Sequence, residues 1–246
     1  MEAEFLILVA VVFGAAALQS ATGIGFGAIA GPVLLIQLNN GSAIQISVIL
    51  NLLIAALLTP AIWKHVDKSL LKHMVAGLVL GSPLGLLIFL NIDIVLLKIG
   101  AGIAVLLTLL LVLSDARTNS AAAPGKPQRI GQAGIGAVAG IMGVCLAMPG
   151  PVPAAWMTAS GYRKETIRAT ILAMFVVSYA IALVLQSALA GIEPEVLRQS
   201  ALLIPATIMG IVLGHYLGRL ISERGYRWIM ATVLTITATV LFLSLG

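Results

Sequence analysis

Residues 20–33 read Ser-Ala-Thr-Gly-Ile-Gly-Phe-Gly-Ala-Ile-Ala-Gly-Pro-Val. Gly23, Gly25, Gly27, Gly31 and Pro32 crowd this one run. In a soluble protein it would be a loop. Here an apolar segment, residues 5–18, leads into it, and apolar residues 33–36 continue it. A bilayer holds no water to satisfy freed backbone groups. Broken backbone at membrane depth therefore persists only inside protein or along a wet cavity. Such a break also aims helix N-termini and bare N–H groups at the cavity, a setting that suits an anion. The competing reading is that these glycines only let helices approach closely.

That a membrane is the setting follows from composition. The 246 residues are 60% hydrophobic and 9% charged, with a mean hydropathy of +1.11. Soluble domains carry roughly a quarter charged residues. The chain reads as an all-α polytopic membrane protein. Its net charge of +5 is no nucleic-acid signal, because the basic residues sit in short runs between apolar segments. The single cysteine, Cys145, excludes an internal disulfide. The start, Met-Glu-Ala-Glu-Phe, lacks the basic opening of a secretory signal, so the first apolar run is expected to be retained.

Outward from the glycine run, spans are expected at residues 46–63, 70–90 and 94–113, each long enough for a hydrocarbon core. Residues 114–130 form a polar linker with Pro124 and Pro127. The chain then divides into a first repeat (1–113), the linker (114–130) and a second repeat (131–246). The second repeat opens on another broken stretch. It contains Gly143-Val-Cys-Leu-Ala-Met-Pro-Gly-Pro-Val152, in which Gly150-Pro151-Val152 matches Gly31-Pro32-Val33. Spans at 170–190, 202–220 and 229–243 follow. Gly85 and its neighbours resemble Gly214 and its neighbours.

Loop charge gives orientation, since Lys and Arg favour the cytoplasmic side. The loop after the first full span carries Lys64, Lys68 and Lys72, whereas its counterpart carries Glu193 and Glu195. The next turn has Asp93 and Lys98, and its counterpart has Arg219, Arg224 and Arg227. Opposite bias at matching places is expected of inverted repeats. Inversion requires each broken stretch to enter and leave on one face, as a Gly/Pro-broken helical hairpin before three transmembrane helices. Both termini are then expected outside and the linker inside.

Two halves that each open with a glycine-rich break ending in proline resemble the TauE/SafE sulfite-exporter family. The likeness rests on Gly23-Ile-Gly-Phe-Gly27 with Gly31-Pro32, and on Gly143-Val-Cys145 followed by Pro149-Gly-Pro151. The second copy departs from the pattern, with Cys145, Leu146 and Met148 where more glycine is usual. The resemblance implies a multi-pass protein of the bacterial inner membrane that exports sulfite, organosulfonates or related anions. Protons are the candidate coupling ion.

The two breaks are expected to meet near the midplane as the substrate site. Gly23, Gly25, Gly27, Gly143 and Gly150 would leave N–H groups free for an anion, and Pro32, Pro149 and Pro151 would fix the breaks. Gln19, Ser20 and Thr22 would add neutral donors. Asn51 lies mid-span, where an amide lines a pocket or bonds a neighbouring helix. Met148 and Trp156 would wall the pocket. Cys145 belongs to the same stretch, as a small packing residue rather than a nucleophile. Arg163, Lys164 and Arg168 either gather anions or only fix topology.

The expected function is thus a secondary transporter working by alternating access. A passive anion channel and a transporter of another small organic anion are the alternatives. No HExxH, no clustered Cys and His and no paired intramembrane aspartates occur, so no catalytic residue, metal or cofactor is assigned. The expected partners are a small anionic substrate and the lipid bilayer, with no nucleic acid. Oligomeric state is left open by the sequence.

Overall fold

The computed structural model describes residues 2–114, 129–220 and 223–244. Most of the linker expected at 114–130 lies outside them. The described residues form helices alone: α1 (Glu2–Thr22), α2 (Phe26–Leu38), α3 (Ser42–Ile62), α4 (Lys68–Asn91), α5 (Ile94–Ser114), α6 (Arg129–Leu146), α7 (Pro151–Ala159), α8 (Lys164–Leu189), α9 (Pro194–Leu220) and α10 (Glu223–Leu243). A single 3-10 turn, Trp63–His65, follows α3. Six of these helices are long and apolar enough to cross a membrane. The segments Phe26–Leu38, Ile130–Leu146 and Trp228–Leu243 are apolar but shorter.

The long helices start earlier than hydropathy alone suggests. α9 opens at Pro194 rather than near residue 202, and α8 opens at Lys164 rather than near 170. Helical backbone continues past the hydrocarbon region wherever the polar end caps itself. Glu195 pairs with Arg198 at 2.8 Å in the first turn of α9, and proline suits a helix start because no N–H is needed there.

Each half begins with an interrupted helix. The first interruption spans Gly23 to Gly25, whose φ angles are 92° and 134°. Side chains with a Cβ rarely adopt such angles. The second follows α6, where Ala147 takes φ 54° without being glycine. The chain turns back after the first break, since Gln37 Nε2 donates to Glu4 O at 3.1 Å. α1 and α2 are therefore the two arms of a hairpin.

The matching Gly-Pro-Val triplets do not occupy matching places. Gly150 is the N-cap of α7 and Pro151 its first residue. Pro32 instead lies inside α2 and fixes no break. A buried membrane helix absorbs one internal proline because its neighbours re-satisfy the freed carbonyl. Gly25 is the N-cap of α2, as Gly150 is of α7.

These two glycines stand 125 positions apart, and the same offset recurs through the bundle. Gln45 Nε2 donates to Gly191 O at 2.7 Å, and 125 positions after Gln45, Thr170 Oγ1 accepts from Asp67 N at 3.1 Å. Gly85 packs on Ile141, and Gly210, 125 positions after Gly85, packs on Ala16, 125 positions before Ile141. Gly214, which the sequence likens to Gly85, packs one turn further along, on Ala17. Helix pairing obeys the same exchange. α4 packs on α6 as α1 packs on α9, while α3 pairs with α8 and α5 with α10.

The most extensive pairing, α4 with α6, is built from glycine. A Cβ at Gly77 or Gly81 would strike the carbonyls of Ala133 or Ala137, and one at Gly136 or Gly140 those of Met74 or Leu78. Contact at backbone distance replaces the hydrophobic drive that lipid cannot supply. Both large pairings join one half of the chain to the other.

Candidate functional site

The two interruptions meet around a hollow of ≈ 20 Å³. Six residues expected at the site line it: Gln19, Gly25, Gly27, Met148, Gly150 and Pro151. No ionisable lysine, arginine, aspartate or glutamate is among its lining residues.

The donors come chiefly from α2. The first N–H groups of a helix have no partner within it. The side chain of Gln19 takes the first of these, its Oε1 accepting from Phe26 N at 2.8 Å. Ile29 N reaches back to Gly25 O at 3.0 Å. The groups between them belong to Gly27 and Ala28, and both residues line the hollow. The positive end of the α2 dipole points the same way. α7 offers much less, because Pro151 and Pro153 carry no N–H and Ala154 N bonds to Gly150 O at 3.0 Å.

A polar chain stands behind Gln19. Its Nε2 donates to Asn51 Oδ1 at 3.3 Å, and Asn51 Nδ2 donates to Ser47 O at 3.0 Å. Asn51 is fully buried and does not reach the hollow. It orients Gln19.

The second break is held from α8. Tyr179 OH donates to Ala147 O at 3.1 Å and Gln186 Nε2 to Val144 O at 2.8 Å. Both accepting carbonyls stand at the end of α6, where the last C=O groups have no partner within the helix. Tyr179, Phe175 and Thr108 all line the hollow, and no motif pointed to them. Tyr179 carried a partial signal, as a hydroxyl in mid-span.

Several expected residues serve the break without facing the hollow. Gly23 N donates to Gln19 O at 2.6 Å, so this N–H is taken. Gly143 lies inside α6, where its N–H belongs to the helix's own ladder. Thr22 Oγ1 lies 2.8 Å from Leu18 O and 2.7 Å from Ile24 O, capping the end of α1. Ser20 Oγ donates to Ile211 O at 2.8 Å, tying α1 to α9. Cys145 is buried in the core. The Pro149 ring packs beside Gly143, and the Trp156 ring lies tilted by 37° to that of Tyr162 with centroids 6.1 Å apart.

Arg168, in the second turn of α8, reaches the first break. Its Nη2 donates to Ser20 O at 2.6 Å, and its Cγ lies 2.6 Å from where a Gly23 Cβ would stand. Among the described residues no group of three or more His, Cys, Asp and Glu side chains gathers.

No curated protein and no solved structure matches the chain. The family model described as "Sulfite exporter TauE/SafE" matches residues 8–241. That match takes in both interruptions, all the helices that pack around them and the hollow they share, and the chain belongs to the TauE/SafE sulfite-exporter family.

Proposed function

We propose that this protein exports a small sulfur-containing anion, sulfite or an organosulfonate, by alternating access around the hollow between the two hairpins. The observation that carries the reading is the open start of α2. Gly27 and Ala28 present it to a hollow whose other wall is the second break. Neutral donors and a helix dipole hold an anion without burying a cation against it. A fully paired charge in low dielectric would bind at a large desolvation cost.

Inverted repeats are part of the same reading, and three contacts support them. Gln37 meets Glu4, and Gln45 meets Gly191 beside Glu193. At the opposite ends of α3 and α8, Asp67 meets Thr170 near Lys68 and Lys164. Acidic loops thereby share one end of the bundle and basic loops the other, the latter being cytoplasmic. Because α4 is locked to α6 and α1 to α9, the bodies that rock each combine helices from both halves.

A thermal-shift screen of the purified protein against sulfite, alkanesulfonates, thiosulfate and carboxylates tests the substrate class, because a ligand of the folded state raises Tm. Protection by sulfur oxyanions is expected, and protection by carboxylates alone would overturn the assignment. Counterflow in liposomes separates carrier from channel, since a channel shows none.

A further inference from the structure

Met148 is one of the side chains that line the hollow. The hollow of ≈ 20 Å³ holds about one water. A sulfonate headgroup, with three oxygens around sulfur, is larger. One of the two hairpins must therefore give way, or a side chain must leave. The other walls are fixed: the Ala147 carbonyl would lie 2.6 Å from a Cβ on Gly27, Gln19, Thr108 and Tyr179 are each held by hydrogen bonds, and Phe175 packs edge-on to Tyr179. Met148 is the exception. It springs from the second break and lies along α2, with its Cγ 3.2 Å from the Gly27 Cβ position and its Cε 3.3 Å from that of Gly31. It is 3% exposed.

Methionine is suited to this place. Its unbranched thioether turns about three bonds and repacks at small cost. The two glycines beneath it leave a smooth bed along α2. The position 125 residues earlier is Gly23, so the first break has no equivalent side chain. The plug therefore stands on one side only.

We infer that Met148 is the movable plug of the anion site and sets the size of anion the site admits. This rests on the hollow being the anion site. Shortening the side chain leaves the α2 donors at Gly27 and Ala28 in place. It removes only the bulk that meets the part of the anion beyond its oxygens. Longer organosulfonates then gain relative to small ones.

The test is calorimetric titration of the purified protein with sulfite, methanesulfonate and butanesulfonate. The wild type, Met148→Ala, Met148→Val and Met148→Leu are compared. For Met148→Ala the ratio of butanesulfonate to methanesulfonate affinity is expected to rise about tenfold, the scale of one or two methylenes in a pocket. Met148→Val is expected to shift it in the same direction by less, and provides the answer if the alanine variant does not fold. Met148→Leu is expected to keep the wild-type ratio. An unchanged ratio in the smaller variants, with methanesulfonate still bound, would overturn the plug and leave the site standing. Failure of the wild type to bind any of the three would overturn both.

Discussion

Gln19 Oε1 accepts the backbone N–H of Phe26 at 2.8 Å, so a side chain on one arm of the first hairpin caps the other. The same amide donates to Asn51 Oδ1 at 3.3 Å. Gln19→Leu would strand a buried donor and a buried acceptor, each at a cost of ~1–3 kcal/mol. A clear fall in Tm is the expected result, read by thermal unfolding in detergent. Gln19→Glu keeps an acceptor for Phe26 N but turns a carboxylate toward the hollow. That variant is expected to fold and to lose anion affinity by about tenfold or more, the scale of one unfavourable charge contact. Sulfite affinity equal to wild type in Gln19→Glu would remove the hollow from consideration as the anion site.

Arg168 supports the first break from outside. Its guanidinium donates to Ser20 O at 2.6 Å, where the carbonyl end of α1 is exposed by the interruption. A cation at a helix C-terminus is favourable, and a hydrogen bond from a charged donor contributes about 1.5–3 kcal/mol. Arg168→Gln is expected to cost an amount of that order. Arg168→Lys should recover only part of it, because an ammonium cannot reproduce the guanidinium fork. Thermal unfolding of the two variants beside wild type provides the comparison. Equal Tm for all three proteins would show that this contact adds nothing to the hairpin.

The membrane class and the two interruptions were legible because they are written locally, as apolar length and as glycine. What the sequence hid was set by partners distant along the chain. The Gly-Pro-Val triplets looked equivalent, but Pro32 lies within α2 while Pro151 opens α7. Composition does not reveal whether neighbouring helices will absorb a proline. Gly23 and Gly143 looked like free donors, yet one N–H is taken by Gln19 O and the other lies within α6. Arg168 read as part of a basic loop because residues 162–168 are polar, whereas α8 begins at Lys164 and carries it into the bundle. Thr108 and Phe175 are single residues in apolar helices, and only packing brings them to the hollow.

Glycine on the α4–α6 contact and glycine elsewhere on α6 should respond oppositely to alanine. A Cβ on Gly81 would run into the Ala137 carbonyl, and neither backbone can move without parting the helices. Gly81→Ala is therefore expected to lower Tm sharply or to abolish folded protein, as overpacking a rigid contact does. Gly134 has nothing within 4 Å of its Cβ position. Gly134→Ala should be neutral or stabilising by up to about 1 kcal/mol through helix propensity alone. Comparing yield and Tm for the pair separates close approach from a general dislike of alanine in these helices. Gly81→Ala with wild-type stability would contradict the backbone contact.

The sidedness of the bundle is open to a direct chemical measurement. Cys145 is the only cysteine and is buried, so background labelling is expected to be low. Lys68→Cys and Glu193→Cys place reporters in the first turn of α4 and in the loop before α9. Asp67 is bonded to Thr170 near the start of α8, and Gly191 to Gln45 near the start of α3, so the two reporters sit at opposite ends of that helix pair. The basic end should face the cytoplasm. A membrane-impermeant maleimide added to intact cells should label the Glu193→Cys protein, and should reach the Lys68→Cys protein only after the membrane is opened. Labelling of both from the same side would be incompatible with the inverted arrangement. The proposal that the hairpins face each other from opposite sides of the bilayer would fall with it.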